Sequence, residues 1–482
     1  MITFVAGMTI LTARQAAQSN HEQAKVLVEQ AMRILGGRTK LESIRQLTVT
    51  TAGHDLLVEQ SERPTGPFLH AYIRGTRTFD FDLLSESSEL SAAGLVYGPN
   101  EMKRNYKVEK GVSRNGVPLE NYVSYRRVAL GPERVLIHAA DAADLSLGRE
   151  ITFNGVPHNV IQFRCGQVPV RLFLKKSTAS PSGIETTCTL AYPWSVWGDV
   201  AMTTRWGNWQ ALENGIMEPS QFTTEVNGYP MSDVTILSAK LTLGPGKAVL
   251  APPIPIADID SKSVMARYKP VKVLDGIIQY QGPFNTFVVD QPDGLVVIEP
   301  VMTPAFASAF YELLAKDFPG KRVKAVVATD DAWPHFGGIR TFVARGAELV
   351  VLDLNRPIVQ RFCDSIHKTN PDELALHPAK PRYRLVSKAT IVGAGPNQMV
   401  MYPIAGQGSE RMMMIHFPAL KLLYGSDLLQ KIPSGFFFPS YPKELAEAVA
   451  RENLIVETVF AEHLGPTPWK TVTDFVAKTI GN

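Results

Sequence analysis

Apolar residues recur every three or four positions between His21 and Leu35, at Ala24, Leu27, Ala31, Ile34 and Leu35. That spacing lines one face of a helix, and the Gly36-Gly37 pair behind it supplies the stop. Beyond this point the period falls to two. Leu47-Thr48-Val49-Thr50-Thr51, Phe79-Asp80-Phe81, Val160-Ile161-Gln162-Phe163 and Val170-Arg171-Leu172-Phe173-Leu174 all alternate, as strands with one buried face do. Val226-Asn227-Gly228-Tyr229 reads as a hairpin turn. Residues 20–243 are therefore expected to form a β-rich domain, one helix followed by a long antiparallel, half-barrel-like sheet. Trp194, Trp197, Trp206 and Trp209 fall in this stretch and read as core or groove-lining aromatics.

From Gly244 to Ala257 the chain carries Pro245, Pro252, Pro253 and Pro255. Proline at that density cannot sit inside a sheet, so residues 244–270 read as a stiff linker. Past it, short all-apolar runs alternate with helical patterns. Phe287-Val288-Val289, Leu295-Val296-Val297-Ile298, Lys324–Thr329 and Glu348–Leu352 read as buried strands. Thr303-Pro304 is an N-cap followed by proline at the first helical position, opening a helix that buries Phe306, Phe310, Leu313 and Leu314. Gly337–Arg345 reads as a second helix that stops at Gly346. Strands alternating with helices predict an α/β layered domain over residues 271–482.

Composition narrows the class. The chain has 482 residues, 45% hydrophobic and 20% charged, which excludes a disordered, collagenous or multi-span membrane protein. A formal charge of +3 is too weak and dispersed for a nucleic-acid partner. The three cysteines, Cys165, Cys188 and Cys363, form no CxxC, so a thiolate zinc knuckle is excluded; Cys165 and Cys188 are open to a disulfide or to two free thiols. Residues 1–19 begin with an apolar run too short to span a bilayer, and Ala17-Gln18-Ser19 offers small residues before Asn20. They read as a candidate signal peptide, so a periplasmic or secreted protein is expected, and a cytoplasmic one if that segment is ordinary.

The second domain carries a resemblance. Val326-Val327-Ala328-Thr329-Asp330-Asp331-Ala332-Trp333-Pro334-His335-Phe336-Gly337-Gly338 resembles the strand, metal loop and helix of the metallo-β-lactamase fold, whose loop reads Thr-His-x-His-x-Asp-His-x-Gly-Gly. Gly406-Gln407-Gly408-Ser409-Glu410, Phe417–Asp427 and Val459–Pro466 continue the likeness. The amino-terminal half resembles a lipoprotein-carrier-like β domain. The resemblance implies an α+β chain: a β-rich domain, then an αββα sandwich with hydrolase activity on a small ester, lactone or amide. The metal loop departs from the pattern. Asp330 stands for the first histidine, Ala332 for the second and Pro334 for the metal-binding aspartate, and the downstream histidine falls near Gly408. His335, Asp427 and His463 remain in their places.

Three readings of these residues stay open. In the first, His335, Asp427 and His463 hold one divalent metal, zinc or else iron or manganese, with Asp330 or Asp331 as general base or an extra ligand. In the second the site is metal-free: Asp330, Asp331 and His335 divide acid and base roles, for a lyase or isomerase. In the third the domain is a non-catalytic ligand-binding protein. Pro334 stiffens the loop and makes Trp333 and Phe336 candidate substrate-binding residues at a pocket mouth, suited to a small apolar or aromatic substrate, although core packing explains Phe336 equally well. His416, in the strand Met412–Phe417, reads as structural. Gly393-Ala394-Gly395-Pro396 reads as a plain turn rather than a phosphate cradle. The expected partner is a small-molecule substrate, with no integral membrane span; sequence alone sets no oligomeric state.

Overall fold

The computed structural model describes residues 2–58, 68–94, 98–110, 123, 126–190, 194–252, 260–282 and 284–480. Two compact units divide the chain. One comprises Met1–Leu56, His70–Cys188 and Val200–Ile256, the other Leu57–Leu69, Thr189–Asp199 and Ala257–Asn482.

The first unit is built on an open twelve-stranded sheet. Every pairing whose register is described is antiparallel, including that of Ile44–Leu57 with the late strand Tyr229–Leu243. Asn227 and Gly228 link Met217–Val226 to Tyr229–Leu243 with φ of 49° and 82°, the left-handed pair that a two-residue hairpin requires. The helix Ile2–Ile34 packs Ala24, Val28, Ala31 and Met32, and Leu35 directly after it, into the core of this unit. Helix Pro132–Asp141 adds Val135, Leu136 and Ile137. Ile34, expected on the buried face, is exposed, and Val28 and Met32 take the inner positions instead. The inward arc is thus rotated by about 50°, half a residue's step, from the one that apolarity alone suggested. Of the candidate signal peptide, residues 1–19, residues 2–19 fall on this helix, and residue 1 and the side chains of residues 2–17 lie outside the description. Among the described residues no helix is long and apolar enough to cross a membrane. Cys165 and Cys363 are buried free thiols, and Cys188 is partly exposed.

The second unit is an αββα sandwich. Its first sheet runs in chain order through Lys269–Leu274, Ile277–Gln281, Thr286–Gln291, Gly294–Ile298, Val323–Ala328, Glu348–Leu352 and Arg382–Val386. The last four of these strands are parallel. The second sheet runs through Thr390–Val392, Met399–Pro403, Met413–Phe417, Leu422–Tyr424, Thr458–Ala461 and Leu464–Pro468, with Leu422–Tyr424 parallel to Thr458–Ala461. The two sheets meet face to face. Phe287, Val296, Ile298, Val327 and Val350 from the first pack with Met401, Met413, Ile415, Tyr424 and Phe460 from the second. Parallel strands need crossover helices, and these cover the outer faces. Phe310, on helix Pro304–Asp317, meets Tyr280 of the first sheet edge-on at 5.1 Å. Leu445 and Val449 of Ser440–Arg451, with Val472 of Trp469–Ile480, cover Met414, Leu423 and Val459 of the second.

Local chemistry sets the helix ends. Thr303 Oγ1 accepts from Phe306 N at 3.0 Å, with Pro304 at the first helical position. Behind the site loop, Arg340 of helix Ile339–Ala344 is buried. It donates to both Asp372 oxygens, at 2.5 and 3.0 Å, and to the carbonyls of Phe362, Cys363 and Ser365 that end helix Arg356–Asp364. Thr189–Asp199 joins this unit through Asp199, whose carboxylate accepts from Lys368 N at 2.8 Å and Thr369 N at 2.9 Å.

Candidate functional site

Parallel strands point their carboxyl ends the same way, and loops beyond those ends are where α/β folds collect chemistry. Glu299 follows Gly294–Ile298, Asp330 and Asp331 follow Val323–Ala328, Asp427 follows Leu422–Tyr424, and Glu462 and His463 follow Thr458–Ala461. His335 comes from the one-turn helix Trp333–Phe336. Gly337 carries the chain onward because a Cβ there would lie 1.7 Å from the Met302 carbonyl oxygen. The Gly-Gly pair thus lets this loop press against the neighbouring strand end.

Two groups of potential ligands share one imidazole. His335, Asp427 and His463 converge, and so do Glu299, Asp330, His335 and Glu462; within each group the ligand atoms lie within 4.8 Å of one another. The expected trio is therefore assembled from three separate chain positions. His463 Nε2 lies 3.2 Å from Asp427 Oδ1, with 30% of the His463 side chain accessible, so this pair faces solvent. Gln430 Nε2 donates to the same Asp427 oxygen at 3.0 Å. His335 is buried, its Nδ1 2.6 Å from both Asp330 Oδ2 and Glu462 Oε2. The Phe284 ring centroid lies 5.8 Å from each of the two imidazoles.

Glu299 and Glu462 are the residues that sequence reasoning missed. Glu299 Oε1 accepts from Thr329 Oγ1 and, at 3.1 Å, from Tyr424 OH. Asn285 Nδ2 donates to the Glu462 carbonyl. Each glutamate directly follows a largely apolar strand that has one parallel neighbour, the one signal within reach. Glu299 also holds a φ of 65°, and Ser426, beside Asp427, a φ of 54°. Each such non-glycine conformation costs about 1–3 kcal/mol.

The other expected residues are placed as follows. Asp330 is fully buried, and its Oδ1 accepts from Ala332 N at 2.9 Å. Asp331 is buried beside it. Phe336 is fully buried, its ring 5.6 Å from that of Phe362. The Trp333 side chain lies outside the described residues. Gly408 offers only its amide, which donates to Glu444 Oε1 at 2.9 Å. His416 Nε2 lies 3.1 Å from the Ile455 carbonyl, a structural position.

Burial and crowding of like charge set the electrostatics. Burial, then Asp330 and Glu462, hold the Glu299 carboxyl well above the usual range. Burial, then Asp330, do the same for Asp331. Burial outweighs the His335 contact and pushes Glu462 to about 7. Burial alone would lower His335, but Asp330 and Glu462 more than offset it and hold the ring well above its ordinary value. Each of these groups binds protons more tightly folded than unfolded, so the stability it contributes is lost as pH rises. Without metal the melting temperature is expected to fall as pH climbs from about 4.5 through about 7, the interval over which Glu462 titrates. For that residue the loss is on the order of 3 kcal/mol. Glu462→Gln should flatten the slope in a thermal-melt series; an unchanged slope would mean that Glu462 is not held protonated.

No family model matches the chain. A curated relative, the 2,4-dinitroanisole O-demethylase subunit beta of Nocardioides sp. (strain JS1661), is 33% identical over 110 residues, 23% of this chain. The match spans only 32% of that relative's length. Among solved structures, a metallo-β-lactamase from Pontibacter korlensis is 14% identical and covers 44% of this chain and 98% of its own, at a TM-score of 0.35. The sec-alkylsulfatase Pisa1 from Pseudomonas sp. is 15% identical over 44% of this chain and 40% of its own, at 0.33. The FIM-1 metallo-β-lactamase from Pseudomonas aeruginosa, in mono-zinc form, is 11% identical over 43% and 93%, at 0.35. The αββα description rests on the layer order above.

Proposed function

We propose that the chain is a metal-associated hydrolase of a small ester, lactone or amide, with at most one divalent ion in the acid–histidine cluster. The observation that carries this is the Asp427–His463 pair, partly open to solvent, set beside a buried imidazole ringed by carboxylates. Asp427 orients His463. The neutral ring takes a proton from an attacking water, and the same proton can then pass to the leaving oxygen or nitrogen as the tetrahedral adduct collapses. Phe284, near both rings, is the apolar wall for the substrate. Asp330 Oδ2 lies 2.6 Å from Nδ1 of His335, and burial raises the neighbouring Asp331 carboxyl well above its usual range. A bound divalent ion would supply Lewis acidity and a lowered water pKa. The donor set fits such an ion, because buried oxygens of Glu299, Asp330 and Glu462 have no hydrogen-bond partner.

The test is turnover on a panel of nitrophenyl esters, lactones and anilides, before and after chelation and reloading with zinc, manganese or iron. A nitroaryl methyl ether joins the panel because of the relative's name. Turnover that chelation abolishes and reloading restores is the expected result. Inertness of the loaded protein across the panel would overturn the reading in favour of a ligand-binding role. A second reading is favoured by the close approach of His335 Nδ1 to two carboxylates. There the imidazolium stands where a cation would, and a metal-independent lyase or isomerase results. Activity insensitive to chelation would select it.

A further inference from the structure

The geometry points to a buried binding site for one divalent cation of the manganese or iron class, formed by Glu299, Asp330, His335 and Glu462 behind the solvent-facing Asp427–His463 pair. The inference deepens the functional reading above and rests on it only in taking this cluster as the site; it says where the single ion sits.

Four ligand atoms converge from three strand ends and one short helix, mutually within 4.8 Å. All three carboxylates are 0% exposed. Their hydrogen bonding is one-sided. The Thr329 and Tyr424 hydroxyls both donate to Glu299 Oε1, and Oε2 has no donor. Ala332 N donates to Asp330 Oδ1, and Oδ2 has none. Neither Glu462 side-chain oxygen has a hydrogen-bond donor, and His335 Nδ1, though 2.6 Å from two of these oxygens, forms no aligned hydrogen bond with either. Buried polar atoms are otherwise nearly always satisfied, and a bare buried carboxylate oxygen costs several kcal/mol. One ion satisfies all of these atoms at once.

Donor chemistry selects the ion. Three carboxylates and one imidazole, with no thiolate, favour manganese or ferrous iron. The donors are themselves fixed: Thr329 and Tyr424 hold Glu299, and Asn285 holds the Glu462 backbone, the kind of support that metal ligands receive. Asp427 and His463 then remain free to act on substrate, and the ion lies behind them.

The test uses the full chain, stripped with chelator and titrated with Mn²⁺. Bound manganese is counted by elemental analysis, and electron-spin-echo modulation counts its imidazole nitrogens. One equivalent with a single nitrogen is expected, since the outer trio would give two. Asp427→Asn/His463→Gln should retain this ion while losing turnover. Glu299→Gln/Glu462→Gln should weaken it by more than the roughly 10- to 100-fold that loss of an outer-shell partner costs, with the metal-free melting temperature unchanged or raised because buried like charge is removed. The inference is overturned by two nitrogens, by undiminished binding in the glutamine pair, or by wild-type protein that takes up neither Mn²⁺ nor Fe²⁺. Should the glutamine pair not fold, the nitrogen count on wild type decides. A tightly held inner ion in a protein inert on the panel sinks the hydrolase reading alone; turnover with no ion at these residues sinks this inference alone.

Discussion

Replacing His463 by glutamine is expected to lower kcat on the best panel substrate by about 10²- to 10⁴-fold, the usual contribution of a positioned base. KM should change little, because Phe284 and the buried carboxylates stay in place. Burial by itself would lower the His463 pKa, yet the contact with Asp427 and the nearby Glu462 charge raise it above the ordinary histidine value. The base form therefore dominates only above that raised value, and kcat should rise with pH through it. Asp427→Asn removes the raising partner, so the rising limb should move to lower pH while activity falls. Circular dichroism would show that both variants are folded. A His463→Gln enzyme of normal kcat would refute the assigned proton transfer, and a fixed limb in Asp427→Asn would place the titrating group elsewhere.

The largest stability effect is expected at Arg340. Its guanidinium is 2% exposed and holds Asp372, itself 6% exposed, together with three carbonyls at the end of helix Arg356–Asp364. Arg340→Ala takes the guanidinium from a buried carboxylate, left with the Ala375 amide at 2.9 Å, and from a helix end at once. Breaking such a pair costs about 3–5 kcal/mol, readable as a lower urea midpoint. Lysine should not rescue it, since one ammonium cannot reproduce the planar fork that spans both Asp372 oxygens and the carbonyls. A loss under about 1 kcal/mol would mean that water replaces the guanidinium, at odds with its burial. Because Arg340 lies five residues beyond His335, the variant also tests how far the site loop depends on this anchor.

Much of the second unit was legible in the chain. Five consecutive buried residues at Gly294–Ile298 and the Thr303-Pro304 cap announce a parallel strand and its crossover helix through local rules alone. The trio His335, Asp427 and His463 was also legible, although only through likeness to a fold, because nothing local ties residues so far apart in sequence. Ile34 was not: helical periodicity marks an apolar face, but which arc turns inward depends on what the sheet offers opposite it. Nor was the membership of Thr189–Asp199 in the second unit, which is set by long-range bonds from Asp199 to Lys368 and Thr369.

The order of residues by itself determined the alternation of elements and, through a resemblance, the expectation that His335, Asp427 and His463 lie together. Only the tertiary structure decided that Glu299 and Glu462 close around His335 and that Asp427 and His463 stay toward solvent. The physical reason is that helix and strand patterns are written by neighbours within a few residues, whereas a charge cluster is made by the register of strands whose ends meet in space. A lone glutamate after a strand looks like a solvated loop residue until the opposite sheet buries it.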